Sequence, residues 1–268
     1  MAIDREIVEH YNSYDESQRL TGGFGNLECE RTKELIQRYL PTPPATIMDI
    51  GGAGGVYSFW LASLGHNVHL IDIVPRHIEQ ARQASNEGPT ELESIKVGDA
   101  RNLDFPDEFA DVVMMHGPLY HLTDRDDRLR ALSEAKRVLR PSGRLLGFAI
   151  TRYAGLIYGL TRGHVFDAEY LSMIREEVQT GLRKDAPSWT NTFISAYFHK
   201  PEELEEEVKE AGLIHEETLG VVGPAWLVPD LDASWADEKK RKTMIEVARM
   251  VEQESVLGPR IMIVGRKK

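Results

Sequence analysis

The chain has 268 residues, of which 41% are hydrophobic and 28% charged, so it can build a packed core and is not a disordered chain. Its net charge of −11 repels phosphate backbones and argues against a nucleic-acid partner. The single cysteine, Cys29, excludes an intrachain disulfide, and no apolar run reaches the ~20 residues of a membrane span, so a cytoplasmic location with no membrane partner is expected.

Two helices are expected in the first 40 residues, one over about Arg5 to Tyr11 and one from Glu28 to Leu40, stopped by Pro41. Thr21-Gly22-Gly23-Phe24-Gly25 between them reads as a flexible loop. From Thr46, strands at 46–50, 67–73, 94–98, 110–116 and 143–150 alternate with helices at 56–64, 76–86 and 125–139. Asp111-Val112-Val113-Met114-Met115 is nearly all apolar after its first residue, as in a strand buried on both faces. This alternation predicts an α/β fold, a doubly wound and mostly parallel sheet covered by helices. The pattern breaks at Thr151. Residues 151–198 are rich in aromatics and read as an inserted lid over the acceptor region. Pro201 opens a charged helix whose Glu202 to Glu210 stretch reads as a solvated face, and strands are expected near 214–222 and 260–264. The organisation is therefore a helical cap over 1–45, a cofactor-binding core over 46–150, the lid over 151–198, and the rest of the core sheet over 199–268.

The chemistry concentrates at Asp49-Ile50-Gly51-Gly52-Ala53-Gly54-Gly55. A strand, a glycine-rich turn, a helix and Asp72 closing the next strand describe a nucleotide-type cofactor site. Glycines let the backbone approach a ligand, and a strand-end carboxylate can accept both ribose hydroxyls. A dinucleotide site needs G-x-G-x-x-G, which no register of 51–58 supplies. Asp49 would oppose a diphosphate and favour a cation, so a ribose-bearing cofactor with positive charge is expected.

These residues resemble the class I S-adenosylmethionine-dependent methyltransferases. The run 49–55 looks like their D-x-G-x-G-x-G motif with Ala53 at the middle glycine. Asp72, Gly98-Asp99-Ala100, the strand from Phe109 to Met114 and the turn Pro141-Ser142-Gly143 match the elements that follow. The resemblance implies a Rossmann-like sheet of seven strands with the last antiparallel and S-adenosyl-L-methionine as cofactor; the residues themselves offer no metal constellation, since His164 and Asp167 alone are too few ligands. It implies cofactor contacts from Asp49, Gly51, Gly52, Ala53 and Gly55, from Asp72 and Ile73, and from Gly98, Asp99 and Ala100. It adds His116 and Gly117 beside the methionine moiety, and Tyr14 and Arg19 from a segment folding over the cofactor. His116, Tyr120 and His121 are the candidates for catalysis, since a histidine at this edge can act as a base near neutral pH. The expected reaction is direct methyl transfer to a small-molecule acceptor. The alternatives are a non-catalytic cofactor-binding or scaffold protein and a nicotinamide-dependent oxidoreductase.

Overall fold

The computed structural model describes residues 5–13, 20–190 and 195–268. Helices α1 (Arg5–Ser13) and α2 (Gly23–Gln37) precede β1 (Thr46–Ile50), α3 (Val56–Ser63), β2 (Asn67–Asp72), α4 (Pro75–Glu87) and β3 (Ser94–Val97). Next come β4 (Ala110–Met115), the short α5 (Pro118–His121), α6 (Arg125–Val138) and β5 (Leu139–Thr151). The insert holds α7 (Ala154–Arg162), α8 (Ala168–Thr180), β6 (Leu182–Arg183) and β7 (Ala196–His199). The chain ends with α9 (Pro201–Glu210), β8 (Ile214–Gly220), α10 (Leu231–Ala236), α11 (Glu238–Met250) and β9 (Arg260–Arg266).

Strands β3-β2-β1-β4-β5 lie side by side and run parallel. β9 enters antiparallel between β5 and β8, which gives the seven-stranded α/β sheet with its last strand reversed. Two short strands are additions to that plan. β7 pairs with the end of β5 through Ile150 and Thr151, and β6 pairs with β7.

Successive residues of the central strands feed opposite faces, as the two-residue period of a strand requires. Met48, Val113, Leu145 and Ile263 pack with Ala131, Leu132 and Val138 of α6 and Leu204 and Val208 of α9. Their neighbours Ile47, Val112, Leu146 and Met262 pack with Leu27 and Leu35 of α2, Leu61 of α3 and Met244 of α11. Both faces of β1, β4, β5 and β9 are thereby largely buried, which accounts for their mainly apolar centres.

Several expectations change. α2 starts at Gly23, not Glu28, so Gly23, Phe24 and Gly25 of the anticipated loop are helix. A Cβ on Gly23 would strike the backbone of α10, and its N–H donates to Asp232, so close packing puts a glycine inside a helix. β5 starts at Leu139 and runs through Pro141-Ser142-Gly143 with a register shift opposite Ala110 and Val112, so this segment is bulged strand rather than a reversal. The insert is regular where aromatic content suggested irregularity. Its helix α8 is capped by the Asp167 side chain, which accepts from Tyr170 N–H at 2.9 Å. The face of α9 is not wholly solvated, because Glu207 is buried in an ion pair with Arg128 at 2.7 Å. Among the described residues, no helix is long and apolar enough to cross a membrane.

Candidate functional site

The chain runs outward from β1 to β2 and β3, then returns to β4 on the other side of β1. The reversal leaves a crevice beyond the carboxyl ends of β1 and β4. A cavity of about 320 Å³ opens there, within the range that holds a cofactor-sized ligand.

Its floor is the turn after β1. Gly51 takes φ +78° and sits so close to the next strand's exit that a Cβ would be driven into the carbonyl oxygen of His116. Ala53 also adopts positive φ, at 49°, a conformation that costs an alanine about 1–2 kcal/mol. Its N–H donates to Asp72 Oδ2 at 2.9 Å, which holds the turn against the end of β2. Gly54 faces open space, and Gly51, Gly52, Ala53 and Gly54 all line the cavity. Gly55 lines none of it. At φ +89° it starts α3.

Asp49 lies beneath the loop, fully buried and outside the cavity wall. Oδ2 accepts from Ser58 Oγ at 2.7 Å, while Oδ1 has no hydrogen-bond partner among the described residues. Burial pushes its pKa up to about 6, opposed by the Ser58 bond and helped by the charge of Asp72. Its position suits support of the loop and not direct contact with a ligand.

Asp72 reaches the cavity wall. Oδ1 accepts from Val74 N–H at 2.8 Å and faces His77 Nδ1 at 3.2 Å. His77 is buried in the first turn of α4, lines the cavity, and its Nε2 has no partner among the described residues. This histidine is not among the site residues expected from the sequence. The available signal was its spacing, five residues after the strand-end acid, in the helix turn that faces back to the strand. Tyr11 of α1 packs edge-on to His77 with ring centroids 4.9 Å apart, and its hydroxyl bonds His121 Nε2 at 2.8 Å. α1 is therefore tied to both walls of the cavity. Tyr14 and Arg19, the other expected N-terminal contacts, lie outside the described residues.

On the third strand's side, Ile73, Gly98, Asp99 and Ala100 line the cavity. The Asp99 carboxylate is already engaged. Arg101 donates to both its oxygens, Nη2 to Oδ2 at 2.7 Å, and also bonds Asp127, which holds the Asp99 pKa below the usual range despite burial. Arg101 is thus an internal partner rather than a solvated charge.

His116 is stacked between Tyr57, at 4.7 Å, and Phe148, at 3.6 Å, with near-parallel rings. This packing fits a wall better than a mobile base. Gly117, at φ 117°, precedes α5, whose Tyr120 and His121 complete that wall. Burial, with the charges of His10, Arg260 and His77, depresses His121 to about 3. So low a value makes it a poor proton acceptor at neutral pH, against the expectation of a near-neutral base. No described residue of the insert lines the cavity, although its aromatics were expected to reach the acceptor. Tyr153, Phe166 and Trp189 are exposed, whereas Tyr170 and Phe198 are core.

A glycine turn pinned to a strand-end acid, at the switch point of an open sheet, defines an α/β protein built for a ribose-bearing cofactor. Residues 48–147 match the methyltransferase domain family. The chain is 33% identical over 122 residues to a ubiquinone/menaquinone biosynthesis C-methyltransferase of Acidiphilium cryptum, covering 45% of this chain and 48% of that protein. It is 27% identical over 195 residues to a ubiquinone biosynthesis O-methyltransferase of Xanthomonas euvesicatoria, covering 72% of each. It thus spans only about half the length of the first of these relatives. A crystal structure of an S-adenosylmethionine-dependent methyltransferase from Methanosarcina mazei superposes with a TM-score of 0.60 at 21% identity, over 87% of this chain and 96% of that one. Residues 48–147 are a methyltransferase domain, and the chain has the fold of the class I S-adenosylmethionine-dependent methyltransferases. The cofactor that goes with this domain is S-adenosyl-L-methionine.

Proposed function

We propose that this protein transfers a methyl group from S-adenosylmethionine to a small-molecule acceptor. The observation that carries the reading is the cavity of about 320 Å³ whose wall includes both the glycine turn and Asp72. The residues fit the cofactor on independent grounds. Gly51 has no room for a side chain, and His77 Nε2 is a buried polar atom without a partner among the described residues.

In this reading Asp72 accepts the ribose hydroxyls, with charge-assisted bonds contributing roughly 1.5–3 kcal/mol each. His77 holds the Asp72 carboxylate in place. Ile73, Gly98 and Ala100 pack about the adenine, and Asp99 turns its backbone to the adenine edge because Arg101 occupies its side chain. Gly51, Gly52 and Ala53 admit the methionine portion, and Asp49 steadies their turn from below. Arg19 and Tyr14 remain proposed contacts from the N-terminal segment. The bound sulfonium supplies an already activated methyl group. The protein's own contribution is then alignment and exclusion of water, and orientation alone can supply roughly 7–11 kcal/mol at best. Tyr120 and His121 face the acceptor, with His121 kept neutral. A C- or O-methylation is the proposed chemistry, by likeness to the two quinone-pathway relatives, and the proposed setting is the cytoplasm.

The test has two parts. S-adenosylhomocysteine should raise the melting temperature, whereas NAD should not. The purified chain, given S-adenosylmethionine and a pool of small metabolites, should yield a product 14 mass units heavier. Stabilisation by NAD alone, or cofactor binding with no methylated product from any pool, refutes the reading.

A further inference from the structure

Arg260 opens β9, and because β9 runs antiparallel, its first residue stands at the carboxyl edge of the parallel strands, where the cavity lies. It pairs with Ile150 at the end of β5. Its guanidinium lies over the ring of Tyr120, 5.3 Å from the centroid. Tyr120 and its neighbour His121 both line the cavity, and the charge of Arg260 is felt at His121.

The other arginines buried in this protein are spent on internal partners. Arg31 donates to Val221 O and Glu252, Arg128 to Glu207 and the carbonyl of Leu122, Arg152 to Phe198 O, and Arg183 to Glu177. Arg260 is only 17% exposed, yet its side chain donates no hydrogen bond among the described residues. The nearest acid paired with it is Glu28, whose Oε2 approaches Nε to 3.8 Å, too far for a hydrogen bond. A guanidinium carries five donors in a planar fork, and those of Arg260 keep some access to solvent, so they are available to a further acceptor.

The cofactor itself does not supply it. The order β2-β1-β4-β5-β9 separates Arg260 from Asp72 by four strand spacings, roughly 19 Å, and from the glycine turn by about 14 Å. Arg260 instead stands over Tyr120, beside the cavity wall but not lining the cavity itself.

We propose that Arg260 is the specificity residue for the methyl acceptor, and that the acceptor carries an anionic group, a carboxylate or a phosphate, held by the Arg260 guanidinium above Tyr120. The proposal rests on the methyl-transfer reading. The cation fixes one end of the acceptor, and the face of Tyr120 carries its apolar body toward the reacting methyl. An acidic protein repels anions at long range, so a placed arginine is the local means of selecting one.

The full chain, saturated with S-adenosylhomocysteine, is titrated by calorimetry with matched probes: benzoate against benzamide, succinate against succinamide, and phenyl phosphate against phenol. At least one anion is expected to bind tenfold or more tightly than its neutral partner. Arg260→Gln should abolish that preference and Arg260→Lys keep part of it. Both variants should bind S-adenosylhomocysteine as the parent does, which separates a lost anion site from a misfolded chain. Whether benzoate or phenyl phosphate gains more distinguishes a carboxylate acceptor from a phosphorylated one. The proposal is overturned if no anion outbinds its neutral partner, or if the preference survives Arg260→Gln. If the parent binds no S-adenosylhomocysteine, it is the methyl-transfer reading that has failed, and the acceptor proposal falls with it.

Discussion

Replacing Asp49 by Asn tests whether this protein gives up stability to keep a charge beneath its cofactor turn. The Asp49 side chain is wholly buried, accepts one hydrogen bond from Ser58, and leaves Oδ1 unpartnered among the described residues. Its pKa rises from the ordinary 3.8 to about 6. Each pH unit is worth about 1.4 kcal/mol, so keeping it ionised in the folded state at pH 7 costs about 3 kcal/mol. The sign follows from the direction of the shift. The folded protein takes up this proton more readily than the unfolded chain, so the penalty is full above about pH 6. It shrinks to about half at pH 5 and vanishes below 3.8. Asp49→Asn keeps the Ser58 bond and removes the charge. The empty variant should therefore be up to about 3 kcal/mol more stable at pH 7, with the difference closing as the pH falls to 4. It should also bind S-adenosylmethionine more weakly, a trade of function against stability. Urea denaturation at pH 7, 5 and 4, with and without the cofactor, reads both effects. A variant less stable than its parent at pH 7, or a stability gap independent of pH, would refute the argument.

Three further outcomes follow from the site. Asp72→Asn should weaken S-adenosylhomocysteine at least tenfold by calorimetry, since a charged acceptor is lost, and unchanged affinity would remove Asp72 from the ribose role. Gly51→Ala should destabilise the fold by about 2 kcal/mol or more and abolish cofactor binding, because its Cβ meets the His116 carbonyl at a positive φ; a normal melting curve with normal binding contradicts this close approach. His121 is depressed from 6.5 to about 3, so its folded form resists protonation and its contribution to stability is lost as the pH falls from 6.5 toward 3. His121→Gln should flatten that part of the acid-unfolding profile, and the parent's turnover should show no inflection near pH 6.5 from this residue; an inflection there that His121→Gln removes would restore it as a base.

How much of the site could be read in advance depended on whether a role was local. The turn 51–55 and the acid Asp72 were legible because a strand, a tight turn and a helix are specified over a few residues. The same is true of Ile73 and Gly98 to Ala100, which simply follow their strands. Tyr11 and His77 were less visible, since what matters is that α1 folds across the sheet to set one ring on the other. Asp99 kept its predicted place but not a free side chain, because Arg101 two residues on claims it. His121 had the right residue type at the right edge, and burial removed the basicity that made it attractive.

The alternation of strands and helices from β1 to α6, the parallel core and the cofactor class were settled by sequence, because hydrophobic period, glycine spacing and strand-end acids are short-range signals. Only the tertiary structure decided which charges are internal and which are free. Glu207 looked solvated and is buried in an ion pair with Arg128, and Arg260 opens a strand yet stands over the Tyr120 ring. Hydrogen-bond satisfaction and desolvation here depend on groups such as Arg128 and Glu207, 79 residues apart in the chain, and no local pattern encodes them.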